Sequence, residues 1–307
     1  MLRYTAWRIA SGIPVLFGVT LLVFGIMNVV PGDPIDIMFH GRPKPSPEVR
    51  AALQHDLGLD RPFHERYALF VWRAAQGDLG RSIQSRRPVT QEIRSRLPNT
   101  LKLTAASLII SIVLGGVTGI ISATRRGSWL DTASMLFAVG ALAMPSFWLG
   151  LMLIFLFSIR LGWFPAGGVG DLRHLVLPSV TLGALGAAII ARMTRATMLE
   201  VLNQHYVVTA RAKGLSEWRV TWGHALRNAL IPQVTIIGLQ VGALLSGAFI
   251  VENVFAYPGM GQLAIQAISN RDLPIAQGAV LVTAVIYLAV NFMTDIAYVA
   301  IDPRVRY

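Results

Sequence analysis

The chain contains no cysteine. That absence excludes disulfides, thiolate nucleophiles and cysteine-based metal sites. Histidine is scarce, with six residues, and none falls into an HExxH or comparable ligand spacing. No segment matches GxxxxGK followed by Ser or Thr, so P-loop nucleotide hydrolysis would have to occur on another chain. Charge is scarce too: 14% of the 307 residues are charged and 54% are hydrophobic, with mean hydropathy +0.56. A soluble domain needs more charge than this to keep its surface wet. Negative charge is the scarcer sign, with 16 acids against 27 Lys and Arg for a net charge of +11. On a soluble protein that excess suggests nucleic acid; on a membrane protein it reflects topology, because Lys and Arg stay on the cytoplasmic side.

What is present is a series of apolar blocks, each close to the roughly 20 residues that cross a bilayer. Six spans are read: Ile9 to Val30, about Leu101 to Ala123, Thr132 to Ile159, a short Leu175 to Ala191, Ile231 to about Phe255, and Ile275 to Ile301. The first follows Arg3 and Arg8, exceeds a signal-peptide core and lacks a following A-x-A site, so it is expected to be an uncleaved anchor. With the N-terminus inside, twelve Lys or Arg fall in inner segments, among them Arg125, Arg126, Arg192, Arg195, Arg211, Lys213, Arg219 and Arg227. Only Arg160, Arg173 and Arg271 fall in short outer loops, which favours cytoplasmic N- and C-termini. The stretch 31–98 then lies outside with eleven Lys or Arg and eight acids, and loops beyond roughly 60 residues escape the charge rule. Phe63, Tyr67, Leu69, Phe70 and Trp72 mark it as a small folded subdomain. Ser46-Pro47-Glu48 and Arg61-Pro62 are two helix-start signals within it.

Small residues recur every four positions in the second span (Ser107, Ser111, Gly115, Gly119, Ala123) and the fifth (Gly238, Gly242, Ser246). The fourth carries Gly183, Ala184, Ala187, Ala188 and Ala191. Such ladders let helix backbones approach closely, either for packing within the chain or as a sliding or dimerising face. Ionisable residues within spans are few. Asp295 stands in the last span near Asn291, and Glu252 with Asn253 closes the fifth. Asp295 reads either as part of a pathway or as a charge paired with another helix or subunit. A secondary transporter would cluster several such groups near the midplane, and an intramembrane enzyme would need a Ser/His or paired-Asp constellation. Neither pattern is visible. Gly77-Asp78-Leu79-Gly80-Arg81-Ser82 resembles a phosphate loop only superficially and reads as a turn.

The loop between the fourth and fifth spans carries the most information. Tyr206 to Lys213 suits a short helix, and Gly214 suits its stop. Ser216 and Glu217 suit the start of a second, amphipathic helix through Trp218, Val220, Trp222 and Leu226, lying at the inner interface. The bland reading is an ordinary connector.

This loop resembles the Glu-Ala-Ala, three residues, Gly pattern of ATP-binding-cassette importer permeases. Aligned on Gly214, Ala210 matches the second Ala, while Thr209 and Val208 replace the first Ala and the Glu, and Arg227 replaces a Pro. Those departures are similar to the dipeptide/oligopeptide/nickel branch, as are Thr209-Ala210-Arg211-Ala212-Lys213-Gly214-Leu215-Ser216 and His224-Ala225-Leu226-Arg227-Asn228-Ala229-Leu230-Ile231-Pro232. The resemblance extends along the chain through Pro31-Gly32-Asp33-Pro34, Leu57-Gly58-Leu59-Asp60-Arg61-Pro62, Arg96-Leu97-Pro98-Asn99-Thr100-Leu101 and Pro145-Ser146-Phe147-Trp148-Leu149-Gly150. It continues through Leu177-Pro178-Ser179, Glu252-Asn253-Val254-Phe255, Pro258-Gly259-Met260-Gly261, Arg271-Asp272-Leu273-Pro274 and Asp302-Pro303-Arg304-Val305-Arg306.

The resemblance implies an all-α integral membrane protein of six transmembrane helices, with the type I importer permease fold and an extracytoplasmic helical subdomain after the first helix. The implied divisions are 1–30, 31–98, a core at 99–301 with a coupling loop at 201–228, and a cytoplasmic tail at 302–307. It implies the B-type permease of a bacterial inner-membrane importer of di- or oligopeptides, with glutathione or a nickel chelate as alternatives. Implied partners are a C-type permease, two ATP-binding subunits or domains, a solute-binding protein and the lipid bilayer, with no nucleic acid. The chain itself is expected to bind no cofactor or metal and to catalyse nothing, with ATP and Mg on the partners. Coupling to the ATPase is carried to Val208, Thr209, Ala210, Arg211, Ala212, Lys213, Gly214, Leu215 and Ser216, with Arg211 and Lys213 meeting an acidic rim. Glu252, Asn253, Tyr257, Pro258, Gly259 and Asp295 are pathway or gate candidates.

Overall fold

The computed structural model describes residues 2–29, 35, 39, 45–56 and 58–301. Pro31-Gly32-Asp33-Pro34, Leu57 and the tail Asp302-Pro303-Arg304-Val305-Arg306 lie outside the described residues. All regular structure among the described residues is helical. The chain divides into two compact units, one of Met1–Pro98 with Pro258–Leu288 and one of Asn99–Tyr257 with Ala289–Tyr307.

The first unit contains α1 (Leu2–Val29), α2 (Pro47–Asp56), α3 (Phe63–Ala75) and α10 (Met260–Ser269). It also holds the first turns of α4 (Val89–Thr124) and the first half of α11 (Leu273–Ile301). Both helix-start signals are realised. The Ser46 hydroxyl accepts the Val49 N–H at 3.4 Å, and Pro62 occupies the N-cap of α3 in an extended conformation. Helix α3 lies along α1 through aromatic contacts: Phe24 meets Phe63 and Tyr67 edge-on, with centroids 5.1 and 5.5 Å apart. The Tyr67 hydroxyl donates to the Phe17 carbonyl at 3.0 Å. The phosphate-loop look-alike is a turn, with Gly77 and Gly80 at φ +83° and +79° and the Asp78 carboxylate accepting the Gly80 N–H at 2.9 Å. Asp272, buried at the head of α11, accepts the Ser82 hydroxyl and the N–H groups of Ile83 and Gln84, which ties the loop before α4 to the α10–α11 turn.

The second unit contains the rest of α4, then α5 (Trp129–Ala143), α6 (Ser146–Leu153), α7 (Arg173–Leu202), α8 (His205–Ala212) and α9 (Leu226–Val254). Two π-helical stretches, Ile154–Arg160 and Arg219–Ala225, extend α6 and lead into α9. Among the described residues five helices are long and apolar enough to cross a membrane: Ala10–Val29, Val89–Thr124, Arg173–Leu202, Pro232–Val254 and Leu273–Ile296. The third span read from the sequence is broken. Trp129–Ala143 and Ser146–Arg160 meet at 109°, so six spans are reached only if this pair counts as one. The cause is Pro145, which has no N–H and forces the preceding Met144 to extended angles, φ −86° and ψ 127°.

The ladders of α4 and α7 pack against each other inside this unit. A Cβ on Gly115 would stand 2.6 Å from the Ala187 carbonyl oxygen, and one on Gly119 2.6 Å from that of Ala191. A Cβ on Gly183 would meet the Ser107 carbonyl at 2.7 Å, and Ser111 donates to the Gly183 carbonyl at 2.8 Å. Helices α4 and α7 are therefore in backbone contact, the arrangement small residues permit within a membrane. A buried cluster of Leu103, Leu177, Leu182, Leu244, Val251 and Phe255 closes the core around them.

Candidate functional site

The loop between α7 and α9 forms the expected helix, turn and second helix. Helix α8 follows α7 after only Asn203 and Gln204. Gly214 sits at φ +78°, the left-handed region where a side chain is strained. Its N–H reaches the Arg211 carbonyl at 2.9 Å, and the Leu215 N–H returns to Ala210 at 3.3 Å, which closes the helix end. Val207, Ala210 and Val220 are buried together, with Val201, Leu202 and Leu215 around them. The elbow thus has its own small core and keeps a fixed angle.

That core sorts the nine expected coupling residues. Ala210 is buried and Leu215 half-buried, so both hold the elbow together. Val208, Thr209, Arg211, Ala212, Lys213, Gly214 and Ser216 are exposed. Arg211 is engaged within the chain: its Nε and Nη2 donate to the two Glu217 carboxylate oxygens at 2.8 and 3.3 Å across the turn. Ser216 enters the second helix through its carbonyl, which accepts the Val220 N–H at 3.0 Å. The second helix does not present one apolar face. Val220 is fully buried, while Trp218 and Trp222 are exposed and stack with centroids 5.0 Å apart. The π-helical winding of Arg219–Ala225 breaks the 3.6-residue spacing from which a single face is read.

A side-chain cluster braces this end of the unit. Asp131, buried in the first turn of α5, receives Arg195 Nε and Nη2 at 2.8 Å each, together with the Ser122 hydroxyl and the Gly127 N–H. One carboxylate thereby joins the ends of α4, α5 and α7. From sequence, Arg195 reads only as a topological charge; its partnership with Asp131 spans 64 positions and leaves no local pattern. Ala123, Met198, Ala225 and Ala229 pack beside it and bring the start of α9 into the same group.

Three of the gate candidates, Glu252, Asn253 and Tyr257, stand at the other end of α9. Glu252 is fully buried and accepts the Thr100 hydroxyl at 2.5 Å. Its carbonyl accepts the Tyr257 N–H at 2.8 Å, and Ala256, at φ +45°, turns the chain between them. Tyr257 is buried, and burial together with the Glu252 carboxylate pushes its phenol above the usual range. The Asn253 carbonyl accepts the Ala256 N–H at 3.3 Å. In the first unit, Gly259 caps α10, its carbonyl accepting the Leu263 N–H at 3.0 Å directly after Pro258. Asp295 is separate from these. It lines an apolar cavity of about 610 Å³ between α9 and α11, beside Gly238 and Thr294. Among the described residues no group of three His, Cys, Asp or Glu could hold a metal ion.

Comparison with known proteins accounts for the whole chain. Residues 115–307 match the family model described as "Binding-protein-dependent transport system inner membrane component", and residues 1–104 match its N-terminal companion. The chain is 43% identical to the di/tripeptide transport system permease protein DppB of Pseudomonas aeruginosa (strain UCBPP-PA14), over 100% of this chain and 99% of that one. It is also 43% identical to the glutathione transport system permease protein GsiC of Escherichia coli (strain K12), over the full length of both. Its fold resembles that of the inward-facing MetNI methionine ABC transporter, with TM-score 0.59 at 19% identity, covering 69% of this chain and 97% of that one. A secondary transporter and an intramembrane enzyme are thereby set aside. The chain belongs to the binding-protein-dependent transport system inner membrane component family, as a multi-pass permease subunit of a peptide-branch ATP-binding-cassette importer, and is not itself an enzyme.

Proposed function

We propose that this subunit forms half of a pathway for di- and oligopeptides and that residues 208–216 dock on a separate ATPase. The observation that carries the coupling role is the elbow: a short helix with its own core, set between two long helices, whose exposed surface has no role in the core of the unit. Val208, Thr209 and Ala212 offer a small-residue surface, and Lys213 offers a charge for an acidic rim. Arg211, held by Glu217, stiffens the turn. The elbow joins α7 through two residues and α9 through an unbroken π-helical stretch. A push on it is delivered to both helices as rigid levers, and Asp131 with Arg195 makes the ends of α4 and α5 follow α7. The expected output is a rocking of the bundle between inward- and outward-facing states, driven by ATP and Mg on the partner subunits. The remaining partners are a C-type permease and a solute-binding protein, and both termini are cytoplasmic. Glu252, Asn253, Tyr257, Pro258 and Gly259 serve as gate elements at the far end of α9. Asp295 belongs to the pathway side of α11.

Glutathione is a second reading with its own support. The match to GsiC runs over 307 positions, the full length of both chains, whereas the match to DppB needs 335 positions for this 307-residue chain. Uptake into proteoliposomes holding the full importer, with labelled dialanine, a labelled pentapeptide and labelled glutathione offered separately, decides between them. Transport of either peptide supports the first reading, and transport of glutathione alone replaces it. Gly214→Val tests coupling in the same vesicles: ATP hydrolysis is expected to persist while uptake falls at least about tenfold, equivalent to about 1.4 kcal/mol. Normal uptake by that variant would end the coupling assignment.

A further inference from the structure

Two adjoining cavities in the first unit serve neither the elbow nor the gate. The first, of about 160 Å³, is lined by Arg61, Arg66 and Arg73 together with the head of α11 at Leu273 and Pro274. Among the described residues Asp78 is the one carboxylate in its wall, and its Oδ1 already accepts the Gly80 N–H. Arg66 is half-buried, donates to the Asn28 side-chain oxygen at 3.2 Å and stands over the Phe24 ring at 5.6 Å. Among the described residues three guanidiniums and one carboxylate line this cavity, an excess of two positive charges. Guanidinium forks suit phosphate oxygens in particular.

The second cavity, of about 460 Å³, runs between α1, α3 and α11 and is lined almost entirely by apolar groups, such as Phe17, Leu97, Val282 and Ile286. Phe70 and Leu79 belong to the walls of both cavities, so the cationic pocket and the apolar groove adjoin across these two side chains. Along α11 the pair of cavities runs from Leu273 to Ile286, about 20 Å of helix at about 1.5 Å per residue. The groove itself covers about 8 Å of α11, Leu281 to Ile286, and about 11 Å of α1, Ile13 to Thr20, room for part of an acyl chain in a leaflet about 15 Å deep. Helix α3 carries Trp72 exposed beside it, a residue type favoured at the level of lipid headgroups.

We infer that α1, α3 and the first half of α11 form a site for one anionic phospholipid, with its phosphate among Arg61, Arg66 and Arg73 and an acyl chain in the groove beneath. The charge excess selects anionic over zwitterionic headgroups, and the continuous apolar groove distinguishes a lipid from a free anion. The site is independent of the transported substrate.

Native mass spectrometry of the assembled transporter, released from nanodiscs of equal phosphatidylglycerol and phosphatidylcholine, tests this. The wild type should retain phosphatidylglycerol over phosphatidylcholine by roughly fivefold or more, the scale expected from even one productive arginine. Arg66→Gln with Arg73→Gln should bring the ratio near one. Ala74→Trp fills the groove while keeping every arginine, and should release the bound lipid without loss of the partner subunits. Equal retention of the two lipids by the wild type would overturn the inference. So would displacement of the lipid by inorganic phosphate with no effect of Ala74→Trp, which indicates a free-anion pocket. Cross-linking of Val282→Cys to another subunit in the assembled complex would likewise overturn it, by placing protein in the groove.

Discussion

Buried polar side chains at the two ends of α9 show how few groups fix this unit. Glu252 has no exposure, and Thr100 is one of the donors that satisfy its carboxylate. Replacing Thr100 by Val keeps the volume and removes that donor, an expected cost of about 1–3 kcal/mol, measurable as a lowered melting temperature in detergent. At the opposite end, Asp131 accepts four hydrogen bonds, two of them from Arg195. Asp131→Ala leaves Arg195 without its carboxylate, and losing hydrogen bonds to a charged, part-buried group costs about 1.5–3 kcal/mol. The paired replacement Asp131→Leu with Arg195→Met should be less damaging than Asp131→Ala alone. If the double variant melts lower than the single, the clamp is not an ion pair in energetic terms. Neither partnership can be read from sequence, because each joins residues far apart, 152 positions for Thr100 and Glu252. Asp295 could be found by its rarity within a span, and Asp131 is concealed as an ordinary first-turn acid.

Helices record their own boundaries better than their contacts. Ser46, Pro62 and Gly214 act where their chemistry places them, since caps and a left-handed stop are set by the residue itself. Pro145 was equally visible inside the third span, yet an apolar count runs straight through it, and only the extended Met144 reveals a 109° bend. The second amphipathic helix fails as a face for a related reason: π-helical winding places Val220 inward and leaves both tryptophans out. The small-residue ladders were legible as close-packing faces, and α4 against α7 is where they are used. That gives a paired prediction. Gly115→Leu has to displace the Ala187 carbonyl and Ile190, so loss of folded protein is expected. Gly116→Ala meets nothing within 4 Å and should leave stability unchanged or raise it by about 0.5–1 kcal/mol. Equal behaviour of the two variants in expression and melting would show that α4 and α7 are not in backbone contact.

For the whole molecule, transport depends on direction across the membrane and on a docking point. The lack of cysteine makes both directly measurable, because a single introduced thiol is the only one present. With the N-terminus inside, Gly127→Cys should react with an impermeant maleimide only from the cytoplasmic side, and Gln84→Cys only from the outer side. The reverse pattern would invert the topology drawn from twelve inner and three outer charges. The fold class, the spans and the helix with its Gly214 stop were open to reading because hydropathy, charge asymmetry and glycine placement are local signals. The division into two units, each built from distant stretches of chain, was not. The central claim is that the exposed side of α8 is where the ATPase engages. Val208→Cys tests it most directly, since that side chain is 53% exposed and lies outside the elbow core. In the assembled importer, oxidative cross-linking of this thiol to single cysteines on the ATPase should give a covalent permease–ATPase product whose yield changes when ATP is bound. Absence of that product, with the complex intact and uptake normal, would contradict the account.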